Sequence, residues 1–97
     1  MFVVIRFRVE EAAQSTFAAR MEAAVEVLSR QQGFVAARTG RNVDDPELLA
    51  LTMEWGNIGS YRRALSPYEV KLAAVPLLSQ AIDEPTAYEA LEAAPLQ

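Results

Sequence analysis

The sequence predicts an α+β domain, a four-stranded antiparallel sheet with its helices on one face, in the order βαββαβ. Three observations predict it. Residues 2–9 and 48–55 alternate apolar and polar side chains with a period of two, as half-buried strands do. Residues 10–31 between them carry apolar side chains at helical spacing. After residue 55 the order repeats in shorter form, a capped helix and then a last extended segment. The order is that of a ferredoxin-like domain, and the 97 residues are read as one such domain spanning residues 1–97.

The first strand, Phe2 to Val9, sets Val3, Ile5, Phe7 and Val9 on one face and Phe2, Val4, Arg6 and Arg8 on the other. The first face is the core face. Glu10 and Glu11 then put negative charge where a helix dipole favours it, and the helix is expected to run to about Gln31. Phe17, Met21, Ala24, Val25 and Leu28 fall at i, i+4, i+7, i+8 and i+11, a stripe that can lie across the sheet. Gly33 is expected near the left-handed position that closes a helix. Phe34 to Val43 reads as a second strand thinned by Ala36, Ala37 and Gly40, and Asp44-Asp45-Pro46-Glu47 as the hairpin connection.

Leu48 to Trp55 is the third strand, with Leu49, Leu51, Met53 and Trp55 inward. Asn57 is the expected N-cap of a short helix through Leu65. Ser66-Pro67-Tyr68-Glu69 has the form of a capping box, with Ser at the N-cap, Pro at N1 and Glu at N3. Pro76 predicts a break near Ala74 and a further turn through Leu77, Leu78 and Ala81. Asp83-Glu84-Pro85 is the last corner, and Thr86 to about Ala93 the final strand. The outer sheet face, with Phe2 and Val4 beside Ala50 and Thr52, has no third helix to cover it, which predicts a homodimer. Arg6, Arg8 and Glu54 share that face and would pair if buried.

Composition narrows the function. A net charge of −4 with a pI near 4.7, and nine basic residues scattered over the chain, argue against binding nucleic acid, which calls for a clustered basic face. No apolar run approaches the roughly 20 residues of a membrane span, and Arg6 and Arg8 interrupt the opening apolar segment before a secretory core forms. A cytoplasmic location is expected. The chain contains neither His nor Cys, so imidazole bases, thiolate nucleophiles and the usual zinc or haem ligands are absent. No metal and no flavin or nicotinamide cofactor is expected, because no Gly-rich phosphate turn follows a strand into a helix. Asp44 and Asp45 read as turn residues rather than cation ligands.

Five pieces in order, Gln32-Gly33-Phe34, Asn42-Val43-Asp44-Asp45-Pro46, Glu54-Trp55, Ser66-Pro67-Tyr68 and Asp83-Glu84-Pro85-Thr86-Ala87-Tyr88-Glu89, give nearly the whole chain a resemblance to the antibiotic biosynthesis monooxygenase family. The resemblance implies a dimeric α/β barrel, two four-stranded sheets face to face with helices outside. It implies several activities: oxidation of polycyclic phenols to quinones with O₂ and no cofactor, action on small quinols, or haem degradation. Fold alone does not choose among them. Arg63, Ala64 and Leu65 stand where many relatives carry a His, which argues against His-dependent chemistry and, with no axial His or Cys, against haem degradation.

Trp55 and, six residues on, Tyr61 resemble the Trp and Tyr that line the substrate pocket of the quinone-forming oxygenases, and are the candidate catalytic residues. Tyr68 is a candidate hydrogen-bonding contact to substrate, and Lys71 and Arg63 are candidate anion-stabilising contacts. Each also has an ordinary structural reading: Trp55 and Tyr61 as core, Tyr68 as a first-turn helix residue, Lys71 and Arg63 as solvated charges. The pocket is expected between the apolar sheet face and the helices, beside Trp55 and Tyr61. Two classes of function follow. One is a cofactor-independent monooxygenase acting on a small phenolic, quinol or polyketide-like substrate. The other is a non-catalytic dimer that binds a small aromatic or apolar ligand, or an accessory or cyclase-like partner in a biosynthetic pathway.

Overall fold

The computed structural model describes residues 1–92. Strands β1 (Phe2–Arg8), β2 (Phe34–Arg41), β3 (Leu48–Trp55) and β4 (Ala87–Tyr88) form one antiparallel sheet in the order β2-β3-β1-β4. Its central pair runs from Phe2 opposite Glu54 to Arg8 opposite Leu48. Helix α1 (Gln14–Ser29) follows a single 3₁₀ turn at Glu11–Ala13, and α2 (Ile58–Ala64), α3 (Tyr68–Ala73) and α4 (Val75–Leu78) come after β3. The ferredoxin-like α+β fold is therefore present, and the core lies between the sheet and the helices. Val3, Ile5, Phe7, Leu51, Met53 and Trp55 face it from the strands, and Phe17, Met21, Ala24, Leu28, Val70 and Leu77 from the helices. Among the described residues no helix is long and apolar enough to cross a membrane.

Several details depart from the sequence expectation, each for a local reason. Helix α1 ends at Ser29 with Arg30 as its cap, so Gly33 is not the closing residue. It does hold a positive φ of 91°, and it turns the chain into β2. Ser66 does not build a capping box. Pro67 occupies the N-cap position of α3, its carbonyl accepts from the Val70 and Lys71 amides, and the Glu69 carboxylate accepts from Gln31 Nε2 at 3.0 Å. Glu69 thus ties α3 to the end of α1. The break at Pro76 is present, with Ala74 at φ −111° between α3 and α4.

Strand β4 is shorter than the expected Thr86 to Ala93, and Ala93 itself lies outside the described residues. Ala87 pairs with Val3 and Tyr88 with Phe2, so the next residue would fall opposite Met1. On its other side Met1 exchanges two hydrogen bonds with Trp55 of β3, which extends the β1–β3 ladder beyond the end of β4. The charges of the open face also pair differently. Arg6 makes a bidentate pair with Glu84 at 2.7 and 2.8 Å, and Arg8 pairs with Asp45 at 3.0 Å, so neither arginine is matched with Glu54. Each arginine hydrogen-bonds its partner and holds that carboxyl, Glu84 or Asp45, below its ordinary value.

Candidate functional site

Trp55 is the last residue of β3 and points inward by strand parity with Leu49, Leu51 and Met53. One residue after the turn at Gly56, Asn57 adopts an extended backbone and its Oδ1 accepts the Ser60 amide at 2.8 Å, which starts α2. That cap fixes where Tyr61 falls. It sits on the first turn of a helix folding back over the strand end, with its ring centroid 5.6 Å from that of Trp55.

A third aromatic completes the group. A bulge between Phe34 and Ala36 shifts the register of β2, so Phe34 rather than Val35 stands opposite Trp55. The Phe34 ring meets the indole edge-on at 5.3 Å, while Val35 is left 56 % exposed. Sequence alternation alone would have chosen Val35, because a bulge has no period-two signature. The signal lay in Gly33, whose positive φ marks an irregular entry to the strand.

The polar atoms of this cluster are few. Trp55 is 1 % exposed, and its Nε1 is a buried side-chain donor with no hydrogen-bond partner among the described residues. Such a group costs about 1–3 kcal/mol if nothing accepts from it. Burial pushes the Tyr61 phenol above its ordinary value, and its hydroxyl makes no hydrogen bond among the described residues. Around neutral pH the cluster therefore holds two O–H or N–H donors and no carboxylate among the described residues, with the indole N–H closed off from solvent. Glu54 lies on the opposite, exposed face.

The remaining sequence candidates stand apart from this wall. Arg63 is exposed on α2, its guanidinium folded back over Gly59. Tyr68 is 76 % exposed at the start of α3, and Lys71 is exposed one turn later. A gap was expected beside Trp55, but Phe34 and Tyr61 flank the indole there. The two clefts described in the structure lie elsewhere: one of about 710 Å³ between α1 and β2, and one of about 450 Å³ near Phe7, Phe17 and Gln80.

The fold has close counterparts among solved structures. SnoaB of Streptomyces nogalater, a cofactor-independent oxygenase, superposes with a TM-score of 0.82 at 24 % identity, covering 98 % of this chain and 96 % of that one. A candidate antibiotic biosynthesis monooxygenase from Deinococcus radiodurans gives 0.76 at 20 % identity, covering 100 % and 99 %. A conserved protein of Methanosarcina mazei gives 0.72 at 23 % identity, covering 89 % and 84 %. At such identities the likeness is one of fold. No curated protein matches the chain. The family is fixed by sequence: the profile described as antibiotic biosynthesis monooxygenase matches residues 1–73, which take in β1, α1, β2, β3 and the whole Trp55–Tyr61 wall. The chain belongs to the antibiotic biosynthesis monooxygenase family.

Proposed function

We propose that the protein is a cofactor-independent monooxygenase that oxidises a small phenol, quinol or polyketide-like polyphenol, and that it works as a homodimer. The observation that carries this reading is the pair of donors at the end of β3, an orphaned buried indole N–H beside a phenol that burial keeps protonated. Family membership supports it, as does the fold shared with a cofactor-independent oxygenase.

Both groups serve as donors, and neither is a base, so the substrate supplies its own anion. A phenolate gives one electron to O₂, and the two radicals combine through a new C–O bond. The resulting peroxide loses water to leave a quinone. One oxygen atom stays in the product, the other departs as water, and no external reductant is consumed. Substrate reaches the indole N–H only when the Phe34 and Tyr61 rings that flank it part, and donors uncovered in such apolar surroundings stabilise the oxygen anions formed along this course more strongly than water does. Tyr68, Lys71 and Arg63 are proposed as outer contacts for the part of the substrate that extends beyond the wall.

Oxygen uptake with a panel of naphthols and hydroquinones, in the presence of chelator, tests the reading. We expect one O₂ consumed per quinone formed from a phenol, with kcat/KM rising through the pKa of the free phenol. Trp55→Phe and Tyr61→Phe should each lower kcat by about 10²-fold, the effect of losing one pre-placed donor, while the protein stays folded. Saturable ligand binding without oxygen uptake would instead establish a non-catalytic binder. Unchanged turnover in both variants would remove the wall from the mechanism.

A further inference from the structure

The larger cleft extends along β2 away from the Trp55 wall, its near end at Ala37, opposite Met53, and its far end at Arg41, opposite Leu49. Leu49 on its floor precedes Trp55 by six residues, about 20 Å of extended chain. The helix side is Ala18, Met21, Glu22 and Val25 of α1, and the strand side is Ala37, Thr39 and Arg41 of β2. Arg41 stands opposite Leu49 and Ala37 opposite Met53, so both belong to the helix-facing side of the sheet. The cleft exists because small side chains meet there: Ala18 and Ala37 cannot fill the space between a helix and an edge strand. Its volume of about 710 Å³ falls within the range of small-molecule sites.

One cation and one anion face it. Arg41 faces the cleft with one carboxylate, Glu22, on the helix side, whereas Arg38 stands opposite Thr52 and so carries its side chain to the open face of the sheet. The ion pairs among the described residues join Arg6 to Glu84, Arg8 to Asp45 and Arg30 to Glu26, so Arg41 is not matched among them. Thr39 adds a hydroxyl that makes no hydrogen bond among the described residues. An apolar floor with an unmatched guanidinium at one end is complementary to an amphipathic monoanion. Glu22 disfavours a ligand of higher negative charge.

We propose that this cleft binds a small aromatic or alicyclic carboxylic acid, its ring on Met21, Val25 and Leu49 and its carboxylate on Arg41. The site is separate from the Trp55 wall, so either can fail without the other. The test uses the full chain, titrated with 2-naphthoate while backbone amide NMR signals are followed. The neutral 2-naphthol and the cationic 2-naphthylmethylamine serve as isosteres. We expect saturable shifts confined to residues 18–25 and 37–41, and affinity about tenfold or more lower for both isosteres, as a charge-assisted hydrogen bond requires. Arg41→Gln should weaken 2-naphthoate by about tenfold, whereas Arg20→Gln, away from the cleft, should leave it unchanged. Ala37→Leu should abolish binding by filling the cleft. Should that variant misfold, the exposed Arg41 substitution decides alone. Shifts centred on Trp55 to Tyr61, equal affinity for all three compounds, or no saturation at millimolar ligand would each overturn the proposal.

Discussion

Gly33 is constrained twice at a single Cα. Its φ of 91° lies where side chains are disfavoured by about 1–2 kcal/mol, and a Cβ built there would overlap the Cβ and Oγ of Ser60 on α2. The two constraints separate experimentally. Gly33→Ala is expected to cost about 2–4 kcal/mol, the backbone penalty plus the overpacking of a filled site. In a Ser60→Gly background the overlap disappears and only the backbone share remains. Urea denaturation of the four proteins of the cycle should therefore give a favourable coupling of about 1–2 kcal/mol between the two changes. Additive values would show that α2 shifts to make room. The close approach has a use, since the Gly33 carbonyl accepts the Gly56 amide at 2.7 Å and so holds the start of β2 against the turn that follows Trp55. A residue chosen for its freedom of φ thereby sets the placement of the Trp55 wall.

At the scale of elements, two cap sequences that look alike behave differently. Asn57 accepts the Ser60 amide and is the cap of α2, whereas Ser66 makes no such bond and the Pro67 carbonyl opens α3. Asn57→Ala should destabilise the protein by about 1 kcal/mol, and Ser66→Ala should be nearly neutral. Thermal denaturation of the pair checks both, and an equal loss would restore the capping box. This contrast shows what the sequence could and could not disclose. Alternation in β1 and β3, the stripe on α1, the Asn57 cap and the Pro76 break were all legible, because each is written in neighbouring residues with a fixed period or fixed chemistry. Glu69 met Gln31 instead of Ser66, Phe34 displaced Val35, and β4 stopped at the pair Tyr88–Phe2. Those three outcomes depend on which distant segment arrives alongside, and no local pattern encodes that. The same limit applied to the site. Trp55 and Tyr61 could be singled out together, but the third ring and the α1–β2 cleft emerge only from register.

For the whole molecule, the described residues cover the sheet on one side only. On the uncovered side Phe2 is 40 % exposed and Tyr88 45 %, and their rings stack at 5.3 Å with planes 12° apart, forming an apolar plate at the β1–β4 edge. Val4 and Ala50 continue it inward as half-buried residues. The ends of the face are polar but already satisfied within the chain, since Arg6 holds Glu84 and Arg8 holds Asp45. A second copy docking here would bury the plate without stripping partners from those charges, which avoids the desolvation penalty of unpaired ions. We therefore expect sedimentation equilibrium to give twice the 10.7 kDa mass of the chain at micromolar concentration. A small domain gains proportionately from such burial, because its own core encloses a limited share of its surface. Phe2→Asp should shift the equilibrium to monomer while leaving the core side of the sheet intact, as it replaces an apolar contact at the centre of the plate with an unpaired charge. Tyr88→Ser should weaken the dimer without introducing repulsion, by an amount that reflects lost ring contact alone. A parent protein that sediments as a monomer would leave the plate open to solvent, as antiparallel sheets can be, and the barrel arrangement would not apply to this chain.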